Sequence, residues 1–210
     1  IWKAFLNSLW ISIVCAFIAG TFGILVGYGV AKRRGSKLSN YVSNLAFLPY
    51  LIPAMSFATI YLILSYTSAL SFLNGSLVLL IVVGSIKFLP FASKSGTNAM
   101  LQLSNEIEEA AIIVGVPWWK RMVKVLFPIQ KSSFISGYLL PFVSCMRELT
   151  LFVLLTGSST ILTAVLQNYE KYDCTQISNG INLIIILSVL IINVVVNKLT
   201  GASIDKGVGG

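Results

Sequence analysis

Few residues in this 210-residue chain have side chains fit for chemistry, and they fall into two groups. One is a polar stretch from Ser104 to Pro128, in which Glu106, Glu108 and Glu109 precede Lys120, Arg121 and Lys124. The other is a scatter of charges in apolar surroundings, Lys87 and the adjacent Arg147-Glu148. Covalent catalysis is poorly served by either. The chain has no histidine, which removes the commonest general base and metal ligand and excludes His-dependent triads and zincin motifs. There is no Gly-x-Ser-x-Gly elbow, and no catalytic residue is expected. Cys15, Cys145 and Cys174 are odd in number and far apart, so neither a disulfide framework nor a CxxC site is predicted. Cys15 and Cys145 read as small buried apolar residues. Glu148 is the single carboxylate inside an apolar run, too little oxygen for a tight hard-metal site, and no metal ligand is assigned.

The elements that must carry these residues are set by composition. Hydrophobic residues make up 56% of the chain and charged ones 10%, with a mean hydropathy of +0.87. A soluble domain carries about 25% charged residues, and apolar stretches long enough to cross a bilayer recur here. An all-α polytopic membrane protein is predicted, with about five spans near 4–31, 42–66, 77–97, 132–155 and 181–197 and a polar loop over 98–131. The net charge of +8 raises the question of nucleic acid. The cations sit in short segments between apolar runs, where they orient spans instead. Lys32, Arg33, Arg34, Lys37, Lys94, Lys120, Arg121, Lys124, Lys131, Lys198 and Lys206 fall on one side, against Lys3 and Lys171 on the other. The positive-inside rule then puts the N-terminus outside and the C-terminus inside.

The first apolar run is too long for a signal peptide and has no A-x-A site; it reads as a true span, and the chain as a segment of something longer. That span carries Ala19, Gly23, Gly27 and Ala31 at four-residue spacing, a small-residue face suited to close helix packing. In the second span, Pro49 and Pro53 are expected to kink or break the helix.

In the polar loop, Ser104 or Asn105 is a plausible N-cap, followed by acidic residues that suit a helix N-terminus. Gly115 reads as the C′ glycine of that short helix, and Pro117 as the N1 residue of a second one carrying Trp118, Trp119 and cations suited to a membrane surface. On pattern alone this is equally an amphipathic connector on the inner leaflet.

The spacing adds more. Glu109-Ala110-Ala111, three residues, Gly115, nine residues, then Val125-Leu126-Phe127-Pro128 resembles the EAA signature of binding-protein-dependent ABC importer permeases, with Val125 and Phe127 in place of the usual Ile and Leu. Leu48-Pro49-Tyr50-Leu51-Ile52-Pro53 resembles that family's Leu-Pro-x-x-x-Pro. Met146-Arg147-Glu148-Leu149-Thr150 with Leu154-Leu155-Thr156-Gly157-Ser158-Ser159-Thr160 is similar to its ferric-iron branch, and the chain resembles the C-terminal half of such a permease. The thiamine and polyamine branches are the nearest competitors.

The resemblance implies the type I importer permease fold in the bacterial inner membrane and a transport role rather than an enzymatic one. It implies four partners: an ATP-binding subunit dimer, a periplasmic binding protein, a second permease half or subunit, and membrane lipid. ATP belongs to the partner, since this chain has no G-x-x-x-x-G-K-[ST] loop. Glu108, Glu109, Ala110, Ala111, Gly115 and Pro128 become ATPase-coupling residues. Pro49, Pro53, Lys87, Arg147 and Glu148 become candidates for the translocation pathway.

Arg147-Glu148 serves a gate or a structural ion pair equally well, whereas Lys87 is expected to snorkel or face the bundle. The outer segment from Thr160 to Asp173 is either a docking surface or an ordinary connector. Two rival readings are weaker. A secondary transporter or channel calls for paired broken repeats, and no second copy of the Pro49/Pro53 segment is seen. An intramembrane enzyme lacks the residues it needs.

Overall fold

The computed structural model describes residues 1–68, 70–156 and 160–202, and every regular element among them is a helix. Gly157, Ser158 and Ser159 of the motif above, and Lys206 of the tail, lie outside the described residues. Helix α1 (Trp2–Lys32) is charged only near its ends. It reaches about 46 Å at 1.5 Å per residue, well past a ~30 Å hydrocarbon core. Ser36 caps the next helix, α2 (Lys37–Leu51), its hydroxyl accepting from Ser39 N–H at 3.1 Å. There follow α3 (Ala54–Ser65), α4 (Leu77–Leu101), α5 (Asn105–Ile113), α6 (Trp118–Arg121), a π-helical turn (Met122–Leu126) and α7 (Phe127–Ile129). The chain continues through α8 (Lys131–Met146), α9 (Thr150–Thr156), α10 (Leu162–Lys171) and α11 (Thr175–Thr200).

Helices α1, α4 and α11 are each long and apolar enough to cross a membrane. The pairs α2–α3 and α8–α9 are bent by 97° and 61°, and the spans number five when each bent pair counts as one. The α2–α3 bend falls in the span where Pro49 and Pro53 are expected to kink or break the helix, whereas the α8–α9 bend departs from the single span expected there. In the stretch 42–66 the break falls at Ile52-Pro53, while Pro49 stays inside α2. A residue before proline is driven out of the helical region, and Ile52 is extended at φ −80°, ψ 126°. In the stretch 132–155 the chain turns at Arg147–Leu149, beyond Pro141, which α8 retains. By contrast α4 runs unbroken through Lys87, Pro90 and Lys94 to Leu101.

The core forms where α1, α4 and α8 meet. The small-residue face of α1 lies against α4 so closely that a Cβ on Gly27 would sit 2.5 Å from Ser93 O and 2.6 Å from Thr97 N. Those are backbone atoms and cannot swing aside. Gly27→Val is therefore expected to force the two helices apart at a cost of about 1–3 kcal/mol, seen as a lowered thermal midpoint of the solubilised protein. Gly29→Ala, two residues on and with nothing within 4 Å of its Cβ, should leave that midpoint unchanged or raise it.

A second apolar cluster joins the far halves of the bent pairs. Phe57 and Ala58 of α3 and Leu151, Phe152 and Leu155 of α9 pack over Leu79, Leu80 and Val83 of α4. Cys15 and Cys145 are free and buried in that cluster. Helix α11 leaves Leu183, Ile186, Leu187, Leu190 and Ile191 exposed, a surface suited to lipid.

Candidate functional site

Local rules build the polar elbow. Ser104 is the N-cap, its hydroxyl accepting from Glu106 N–H at 3.3 Å. Helix α5 ends in a Schellman motif: Gly115 N–H donates to Ile112 O at 2.9 Å and Val116 N–H to Ala111 O at 3.0 Å. Gly115 sits at φ +78°, a conformation that costs an L-residue about 1–2 kcal/mol. Pro117 is the N-cap of α6, one position before the N1 site expected of it. The second helix is not a plain α-helix either, since Met122–Leu126 is π-helical. Pro128 has no N–H, and in a regular helix its ring would press on the carbonyl four residues back. The wider turn, closed by Phe127 N–H on Met122 O, relieves that crowding. Pro128 was the available signal for it.

The two neighbouring glutamates of α5 have different surroundings. Glu109 and Ala110 are exposed, Ala111 is half-buried, and Ile113 and Val114 stand 85% and 80% exposed beyond them. Glu108, expected beside Glu109 in contact with a partner, is 3% exposed and turned inward. Tyr28 Oη donates to its Oε1 at 2.6 Å, and Arg121 Nε to the same oxygen at 3.0 Å. Lys32 Nζ lies 2.6 Å from Oε2 and also donates to Asn105 Oδ1 at 3.1 Å. One carboxylate thus ties the end of α1 to both helices of the elbow. Burial opposes its ionisation, yet Lys32, Tyr28 and Arg121 outweigh that and hold its carboxyl below the ordinary carboxylate value. Tyr28 also meets Trp118 edge-on, ring centroids 5.9 Å apart.

Sequence reasoning missed Tyr28 and saw Lys32 only as a topology marker. No spacing signal connects either with Glu108.

The structure brings Pro49, Pro53 and Lys87 together. Pro53 lacks the N–H that would close a helical bond on Pro49 O, leaving that carbonyl open. Lys87 Nζ takes it, donating to Pro49 O at 2.8 Å and to Ile52 O at 2.5 Å. The ammonium lies 5.1 Å from the centre of the Phe57 ring. Lys87 thus faces the bundle and caps the C-terminal end of α2, where a cation is electrostatically favoured.

Arg147 and Glu148 occupy the second bend rather than a helix interior. Glu148 Oε1 accepts from Leu151 N–H at 3.0 Å and so starts α9. Arg147 is exposed, and the ion pairs among the described residues are both on Glu108, so these neighbours do not pair with each other. The described residues hold no cluster of three His, Cys, Asp or Glu side chains fit for a metal ion.

Bent spans thus surround a packed α1–α4–α8 core, with an exposed helix–glycine–helix elbow at one end. The chain belongs to the family described as "Binding-protein-dependent transport system inner membrane component", whose model matches residues 19–205. It is a type I ABC importer permease by fold and family.

A putative ferric transport system permease protein, FbpB 1 of Haemophilus influenzae, is 22% identical over 162 residues, covering 76% of this chain and 25% of that protein. The ferric transport system permease protein FbpB of Actinobacillus pleuropneumoniae is 23% identical over 171 residues, 80% of this chain and 24% of that one. The chain thus spans about a quarter of the length of these two relatives. A putative 2-aminoethylphosphonate transport system permease protein, PhnV of Salmonella paratyphi A, is 25% identical over 191 residues, 89% and 69% of the respective chains. Among solved structures, a chain of the inward-facing MetNI methionine ABC transporter matches with a TM-score of 0.69 at 17% identity, covering 94% of both chains.

Proposed function

We propose that this chain is the translocating permease subunit of an ATP-driven importer of ferric iron. A periplasmic binding protein delivers the cargo, a separate pair of ATP-binding subunits drives the cycle, and a second permease half or subunit completes the pathway. The chain starts outside and ends inside, which puts the elbow in the cytoplasm beside the ATP-binding partner. The observation that carries the reading is the exposed end of α5, from Glu109 to Val114, projecting from a base that Glu108 clamps. Glu109, Ala110 and Ala111 dock into the partner, Gly115 sets the angle of the elbow, and Pro128 marks where it rejoins the spans. The bends at Pro49/Pro53 with Lys87 and at Arg147/Glu148 lie along the pathway.

Iron is favoured by the names of the two ferric relatives. The phosphonate relative favours a second reading, an anionic solute, because its match extends over more of both chains.

Energy-dependent uptake of radiolabelled ferric iron by cells carrying the complete transporter tests this. Competitors are 2-aminoethylphosphonate, sulfate, molybdate, thiamine and a polyamine. Iron alone should be taken up. Gly115→Arg, which forces an L-residue to φ +78°, should lower uptake roughly tenfold or more with the protein still in the membrane. Undiminished uptake in that variant would remove the coupling assignment; competition by a different solute would keep the importer and replace iron.

A further inference from the structure

At the end of α1 lies a groove that the transport reading leaves unused. Its volume is about 510 Å³. Val26 and Val30 from α1 and Leu38 and Val42 from α2 line it, with Trp118 along one side and Arg33 at the rim. The polar groups nearest its floor are already engaged. Ser39 Oγ donates to Val30 O at 2.9 Å, and Lys32 is held by Glu108. Of the other cations, Arg33 lines the groove, and Arg34 and Lys37 follow it in the chain where α1 gives way to α2. All three are exposed and have no side-chain hydrogen bond or ion pair among the described residues.

We propose that this groove seats an anionic phospholipid, its acyl chain on the Val26–Val42 floor and its phosphate at Arg33, Arg34 and Lys37. The hairpin between α1 and α2 stands where a spanning helix leaves the membrane, so an apolar floor and a basic rim meet at headgroup level. Basic segments at that level attract anionic lipid, and indole rings such as Trp118 are enriched there. A protein occupant fits less well, because the buried cores of protein interfaces are depleted of charge.

The test uses the complete transporter in nanodiscs of phosphatidylcholine with a minor share of brominated lipid, which quenches tryptophan on contact. The signal of this groove is the difference between the native protein and Trp118→Phe. Brominated phosphatidylglycerol should quench that difference signal roughly fivefold more effectively than brominated phosphatidylcholine at equal content. The combined Arg33→Gln, Arg34→Gln, Lys37→Gln variant, altered only at exposed positions, should abolish the preference. Excess inorganic phosphate should leave it in place, which separates a lipid from its headgroup ion. Equal quenching by the two lipids in the native protein would overturn the proposal, whatever the variant does. A preference that survives the triple change would also overturn it, and loss of the preference to phosphate would reassign the site to a free anion.

Discussion

Glu108→Ala should uncouple the transporter: uptake lost, ATP hydrolysis by the assembled complex retained. The carboxylate is the common partner of Tyr28 and Lys32 on α1 and Arg121 on α6. Glu108 is buried while Lys32 and Arg121 keep access to water, so the loss is that of charge-assisted hydrogen bonds, about 1.5–3 kcal/mol. Here the loss falls on the joint between elbow and spans, so under the proposed coupling the elbow should stay on the ATP-binding partner without moving α1. Glu108→Gln, which keeps the shape and loses the charge, should fall between alanine and native. Glu109→Gln at the exposed neighbour should leave the thermal midpoint alone.

The ratio of uptake to ATP hydrolysis in proteoliposomes is the readout, and an unchanged ratio in Glu108→Ala would remove the clasp from the mechanism. The same carboxylate sets a pH dependence. Its value is depressed in the folded state, so its contribution is complete above the ordinary carboxylate range. It is lost as pH falls through the depressed value. The native midpoint should therefore decline on the acid side with a slope that Glu108→Gln lacks.

The second large effect is expected at Lys87. In Lys87→Met the stem is nearly preserved, but Pro49 O and Ile52 O lose the donor they share. A buried polar group left without a partner costs about 1–3 kcal/mol, and two are created at once. Thermal unfolding of the solubilised protein should show a large loss. The mechanism can be separated from simple damage to packing by adding Pro53→Ala. Alanine restores the N–H whose absence leaves Pro49 O open, so the double variant should recover part of the stability of Lys87→Met. It should do so by straightening the bend between α2 and α3. No recovery would mean that Lys87 serves the bend by some route other than those carbonyls.

These two sites differ in how far the sequence disclosed them. The elbow is built from contacts a few residues apart, so Ser104, Gly115 and the exposed face of α5 could be read directly. The Glu108 cluster could not, because Tyr28 is 80 positions away and becomes a neighbour only after α1 folds back. Lys32 looked like one of several topology cations, with nothing in its local pattern to set it apart from Arg33. At Pro49 and Pro53 both breaks were plausible. The outcome turned on whether a donor existed elsewhere to take the freed carbonyl, which only tertiary packing decides. Arg147-Glu148 reads equally as a gate or a structural ion pair, and what the sequence does not disclose is that the chain turns there and Glu148 starts α9.

Helix α1 is pinned at both of its ends. Tyr28 and Lys32 hold the elbow at one. At the other, Asn7 Nδ2 donates to Thr160 O at 2.9 Å and Ser8 Oγ accepts from Leu162 N–H at 2.8 Å. It behaves as a connecting rod between opposite faces of the membrane. Seated along α4, it gives a displacement of α5 a direct route to the start of α10, one that passes through neither bent span.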